Sequence, residues 1–142
     1  MPKALILITR NSLDDINYSI SSLDSMYAFA KSEKSLYIEN KRDTHIRSYI
    51  SIDSLNSIEL AIEEYRERDD VPIEFQEILL DSNIFLINYN NVVICNDVLK
   101  TFLLDHSQNL CHIWFDNDYS DVISGNIALK ELLTDLEWNW NR

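Results

Sequence analysis

A single glycine, Gly125, in a chain of 142 residues sets the first limit on what this sequence can build. Phosphate-cradling loops, dinucleotide fingerprints and nucleophile elbows each need several glycines, because backbone must approach a ligand closely or turn sharply. None of them can be written here, which removes the commonest nucleotide-using enzyme classes.

The apolar content nevertheless supports a core. Hydrophobic residues make up 46% of the chain, with 18 Ile and 18 Leu. A chain near this length buries about 68–70% of its unfolded surface. That excludes a disordered acidic tail and fits one globular domain over residues 1–142. No apolar run approaches the roughly 18 residues that span a bilayer, so no membrane partner is expected. Ala4–Thr9 is a short apolar run followed at once by Arg10, Asn11, Asp14 and Asp15. With no small-residue cleavage site after it, it reads as a first strand rather than a signal peptide. Two cysteines, Cys95 and Cys111, give no disulfide framework, and cytoplasmic residence with free thiols is the expectation.

Periodicity then orders the chain. Ser12 and Asp15 make a capping box, and Leu13, Ile16, Ile20 and Leu23 predict a helix over 13–23. Three β-like stretches follow at 26–30, 36–39 and 46–52, joined by short charged turns, and predict a meander. Asn56 with Glu59 predicts the start of a second helix, whose stripe is Ile58, Ala61, Ile62 and Tyr65. Pro72 opens a short helix with Phe75, Ile78 and Leu79 inward. Residues 84–88 read as a buried strand, with 92–95 extending it or pairing with it after an Asn90-Asn91 turn. Asn96 and Asp97 are then read as a helix start, and 111–116 as a further strand. A last helix begins at Ser124-Gly125 with Leu129, Leu132, Leu133 and Leu136 on one side. Trp138 and Trp140 are expected to fold back over the core edge. The resulting fold class is α+β, a mixed or antiparallel sheet with helices packed on it.

Charge is distributed unevenly along this order. Residues 1–52 carry seven Lys/Arg against six Asp/Glu, whereas residues 53–142 carry five against eighteen. The net charges are +1 and −13, which sum to the −12 of the whole chain. A lopsided field raises the encounter rate with a basic partner by roughly 10- to 1000-fold at low salt. Two acidic clusters stand out. One is Glu63, Glu64, Glu67, Asp69 and Asp70, interrupted by Arg66 and Arg68; the other is Asp116, Asp118 and Asp121 beside Trp114, Phe115 and Tyr119. The first reads equally as a solvated helix face. In the second, large aromatics among charges match the anchors that tight interfaces use. Nucleic acid is disfavoured as a partner, since phosphate contacts need clustered Lys/Arg. Lys31, Lys34, Lys41, Arg42 and Arg47 form only a modest basic edge, of the kind that protects sheet edges from pairing.

Catalytic and metal chemistry find little purchase. Cys95, His106, Cys111 and His112 lack the short paired spacings of zinc sites, and Cys95 lies in an apolar, strand-like run. An EF-hand counted from Asp116 would need Gly at its sixth position and Glu at its twelfth, where Asp121 and Ile127 stand. His45, His106 and His112 have no nucleophile signature beside them. No metal and no cofactor is therefore assigned, and the chain is not read as an enzyme.

The segment Trp114-Phe-Asp116-Asn-Asp118-Tyr-Ser-Asp121-Val-Ile-Ser-Gly125, with the apolar helix that follows to Leu136, resembles the C-terminal portion of some bacterial immunity proteins. These small acidic antidotes are encoded beside polymorphic toxins, including those of contact-dependent growth inhibition systems. The resemblance covers 23 of the 142 residues. It implies a basic toxin domain as partner, often a nuclease, inhibited by direct occlusion. The contact residues expected on that basis are Asp116, Asp118, Tyr119 and Asp121, with Glu63, Glu67 and Asp70 second. Two other readings stand beside it: an acidic nucleic-acid mimic that blocks a DNA-binding protein, and an enzyme using carboxylates with a divalent ion.

Overall fold

The apolar runs near the N-terminus and in mid-chain become neighbours at the centre of one sheet. The computed structural model describes residues 3–41, 48–55, 58–68, 71–117 and 122–140. The strands are β1 Lys3–Thr9, β2 Tyr27–Lys31, β3 Ser35–Asn40, β4 Tyr49–Ser54, β5 Asn83–Tyr89, β6 Ile113–Asp116 and β7 Val122–Ser124. Their order is β2-β3-β4-β5-β1-β6-β7, and every neighbouring pair is antiparallel. The helices are α1 Leu13–Ile20, α2 Ile58–Glu67, α3 Ile73–Leu79, α4 Val92–Asp105 and α5 Gly125–Thr134. The fold is α+β, and the sheet is antiparallel throughout the described residues.

The sequence pattern of each strand reflects how many of its faces lose water. On β1, Leu5 and Leu7 enter a core with α1, α4, α5 and the Trp138 and Trp140 tail, while Ile8 enters a second core with α2, α3, Ile84 and Trp114. Helices therefore cover both faces of β5, β1 and β6. A strand buried on both sides reads as a continuous apolar run, which is why alternation is missing there. The meander β2–β4 does alternate: Leu36, Ile38, Ile50 and Ile52 are buried in the first core, and the residues between them are only partly buried. The predicted meander is present, with β4 beginning at Tyr49; Ile46 and Arg47 lie outside the described residues.

The capping box forms as expected. Ser12 Oγ accepts from the Asp15 N–H at 3.1 Å, and the Asp15 carboxylate accepts from the Ser12 N–H at 3.0 Å. The helix it opens is shorter than predicted: α1 ends at Ile20 and tightens into a 3-10 turn, Ser21–Ser25. Two further corrections concern α4. Residues 92–95 are its first turn, not a strand, because Asn91 is the N-cap and its side chain accepts from the N–H groups of Val93 and Ile94. A run of four apolar residues has no period of its own, and here it belongs to a helix packed against α1, α5 and β4. Asn96 accordingly starts nothing. It lies buried in the helix, donating to the carbonyls of Leu136 at 2.8 Å and Trp138 at 2.9 Å and accepting from Trp140 Nε1 at 2.6 Å. With all three bonds made, a buried amide that would otherwise cost about 1–3 kcal/mol ties the tail to the core. Both tail tryptophans are buried, as expected.

Residues 110–112 form a 3-10 turn ahead of β6, so Cys111 and His112 are not strand residues. On α5, Leu129 and Leu132 face the core, whereas Leu133 is exposed and Leu136, beyond the helix end, is only partly buried. Gly125 is required by close approach. A Cβ there would lie 2.8 Å from the Leu110 carbonyl oxygen and 3.0 Å from that of Ile113. Gly125→Ala is expected to destabilise the fold by about 1–3 kcal/mol, read as a lower urea midpoint at unchanged slope.

Three buried acids shape the alkaline limb of stability. Burial raises the Cys95 thiol strongly; burial and then the nearby Cys95 push Tyr89 up to about 12; burial and then its hydrogen bond to Asp97 raise Tyr27. Their unfolded values are 9.0 for the thiol and 10.0 for the phenols. Above those values the unfolded chain loses protons that the folded chain keeps, so stability falls with rising pH. Stability contributed by these groups is expected to be complete below pH 9 and to decline steadily above it. In urea titrations from pH 7 to 11, Cys95→Ala is expected to move the onset of that decline upward, towards the phenol value of 10.0. An unchanged onset would contradict it.

Candidate functional site

Asp116, the first acid of the second cluster, is held against the end of α2, the helix that carries Glu63, Glu64 and Glu67. Tyr65, in α2, donates from its hydroxyl to Asp116 Oδ2 at 2.8 Å, and Arg68 Nη1, just past the helix, donates to the same oxygen at 3.2 Å. The Arg68 guanidinium also lies 5.6 Å from the centre of the Tyr65 ring. Behind this clasp, Phe75 of α3 packs edge-on between Tyr65 at 5.0 Å and Trp114 of β6 at 5.6 Å. The end of α2 is thereby fixed beside the end of β6, where the connection to β7 begins.

This changes the role of several residues. Asp116 is only 4% exposed and acts as the internal partner of Tyr65 and Arg68, not as a projecting contact. Trp114 and Phe115 are buried in the two cores and are not surface anchors. Asn117 is buried as well, donating from its side chain to the Trp140 carbonyl at 2.9 Å. Asp118, Tyr119, Asp121 and Asp70 lie outside the described residues. Glu63 and Glu67 are exposed on α2, as expected, together with Glu64.

α3 extends the acidic face beyond the residues first singled out. With Phe75, Ile78 and Leu79 turned inward, Glu74, Glu77 and Asp81 are exposed. The same helical period that identified the inward residues places these acids outside. Among them stand three large apolar side chains: Leu60 on α2 is 62% exposed, and Ile73 and Leu80, seven residues apart along α3, are 69% and 66% exposed. A cleft of about 190 Å³ opens between α2 and the sheet, walled by Ile6, Leu55 and Ile84 and closed by Glu64 and the Asp116 clasp. The opposite helical layer also carries exposed carboxylates: Asp14 and Asp15 on α1, Asp24 in the turn after it, Asp105 at the end of α4, and Asp135 and Glu137 after α5.

The remaining histidine, serine and cysteine groups of the two cores take packing or capping roles, apart from His112, whose buried Nδ1 has no hydrogen-bond partner among the described residues. Ser19, His106 and Asp105 do come together: Ser19 Oγ donates to Asp105 at 2.7 Å and lies 2.9 Å from His106 Nε2. In an acyl-transfer triad the carboxylate holds the far ring nitrogen of the histidine. Here carboxylate and Nε2 converge on one hydroxyl, which ties the end of α1 to the end of α4. His106 caps the C-terminal end of α4. Cys95 is buried in α4, and no group of three or more Cys, His, Asp or Glu among the described residues is arranged to hold a metal ion.

No protein-family model, curated protein or solved structure matches the chain. No helix among the described residues is long and apolar enough to cross a membrane.

The clasp and the exposed acids of α2 are expected to differ in their weight on stability. Asp116→Ala is expected to lower stability by about 2–3 kcal/mol, less than the 3–5 of a fully buried pair because the Arg68 side chain keeps 27% of its exposure. Glu63→Gln and Glu67→Gln are expected to stay within about 0.5 kcal/mol of the parent. Urea denaturation of the three variants checks both statements.

Proposed function

We propose that this chain is an immunity protein that binds a basic toxin domain, of nuclease type, and covers its active or substrate-binding surface. The observation that carries the reading is the α2–α3 layer. That layer carries the exposed Glu63, Glu64, Glu67, Glu74, Glu77 and Asp81 together with the exposed Leu60, Ile73 and Leu80; Arg66 is exposed among them, and Asp81 lies 3.8 Å from Arg10. Acids supply long-range attraction to a cationic surface, and exposed Leu and Ile supply area that gains by leaving water. The connection between β6 and β7, which holds Asp118, Tyr119 and Asp121, starts beside this layer because of the Asp116 clasp. The partner docks there, and the cytoplasm is where the two meet.

The test is binding to the isolated toxin domain encoded beside this gene, measured by stopped flow as salt rises. Steered association is expected to slow by about tenfold or more between 20 and 500 mM NaCl. Glu63→Gln with Glu67→Gln is expected to slow it further at low salt while leaving the fold intact. Absence of binding, or an association rate indifferent to salt, contradicts the reading.

A further inference from the structure

We infer that the outer edge of β2 is a homodimerisation edge, at which a second copy of this chain pairs antiparallel and continues the sheet. β2 is the first strand of the sheet order, so among the described residues no strand lies on one of its sides. Its register with β3 settles which backbone groups face that side. Lys41 N–H donates to the Met26 carbonyl and Ser32 N–H to the Ser35 carbonyl. Hydrogen-bonded pairs alternate along an antiparallel ladder, so Ala28 and Ala30 bond inward to β3. The N–H and C=O groups of Tyr27, Phe29 and Lys31 point outward.

Two of the usual protections of such an edge are missing from β2. β2 contains no proline, and its pairing with β3 runs without a bulge from Tyr27↔Asn40 to Lys31↔Leu36. The lysine expected to guard the edge is engaged elsewhere, since Lys31 Nζ lies 2.7 Å from the Asp14 carboxylate of α1. Ala28 and Ala30 are exposed and too small to obstruct a neighbour.

Sequence and charge both select a second copy as the occupant. The strand Tyr27-Ala28-Phe29-Ala30-Lys31 is nearly palindromic about Phe29. Antiparallel pairing centred there sets Phe29 against Phe29, Ala28 against Ala30, and Tyr27 against Lys31. Each of the three outward-bonding residues then meets another outward-bonding residue, which is the condition for a hydrogen-bonded pair. Two copies of a −12 chain repel, and the repulsion is least where charges balance. β2 lies in the first 52 residues, whose net charge is +1. The edge is also remote in sheet order from β6 and β7, so pairing there does not depend on the α2–α3 face.

The register makes the test specific. Sedimentation of the parent chain from about 10 to 500 μM at physiological salt is expected to show a reversible monomer–dimer equilibrium. Ala28→Lys with Ala30→Lys sets lysine against lysine across the two-fold axis and is expected to weaken the dimer by roughly tenfold. Ala28→Glu with Ala30→Glu is expected to do the same. Mixing the two variants is expected to restore association as a heterodimer. Both positions are exposed, and unchanged circular dichroism and urea midpoints confirm an intact fold. Hydrogen exchange is expected to show concentration-dependent protection at the Tyr27, Phe29 and Lys31 amides. A monomer throughout the concentration range, or a dimer that neither double variant weakens, overturns the inference.

Discussion

The structure depends on β1 losing water on both faces. Because β1 sits between β5 and β6, its alternate side chains feed two separate cores. Each fully buried Leu or Ile contributes roughly 1.5–3 kcal/mol, and this strand supplies Leu5, Leu7 and Ile8. The arrangement also dictates where the helices go. α1, α4 and α5 must cover one face, while α2 and α3 must cover the other. The acidic second part of the chain is thereby divided between two layers. Glu63, Glu64, Glu67, Glu74, Glu77 and Asp81 fall on or just after α2 and α3, with Asp116 carrying the connection to β6.

Asp116 illustrates how a charge can serve the fold from inside. Two donors, Tyr65 and Arg68, converge on one of its oxygens and set the end of α2 against the end of β6. Glu63, Glu64 and Glu67 are exposed on the same helix, with Arg66 exposed among them. Asn96 and Asn117 do comparable work for the tail, holding Trp138 and Trp140 against α4 and β6. Buried polar groups with every bond made fix one arrangement among the many that apolar packing alone would allow.

Local signals in the sequence carried much of the fold. The Ser12–Asp15 capping box, the alternation of β3 and β4 and the inward stripe Phe75, Ile78 and Leu79 each have a period or a motif that survives without tertiary context. What was not legible lacks such a signal. The apolar run at 92–95 has no period, and its helical state follows from burial between α1, α5 and β4. Leu133 shares a helical side with apolar neighbours yet faces solvent, because the stripe on α5 is narrower than its leucines suggest. At the site, Glu63 and Glu67 were readable from the helical pattern. The burial of Asp116 was not, since its partners lie 48 and 51 residues away. Glu74, Glu77 and Asp81 were implied by the α3 stripe but became part of the site only once α3 packed beside α2.

The central claim is that α2, α3 and the β6–β7 end act as one partner-facing surface. Hydrogen exchange of the chain, free and saturated with the toxin domain proposed as its partner, tests it most directly. Protection is predicted to appear over residues 58–81 and around the β6–β7 connection, with α1, α4 and α5 unchanged. Protection concentrated on α1, α4 or α5, with residues 58–81 exchanging as in the free chain, would contradict it.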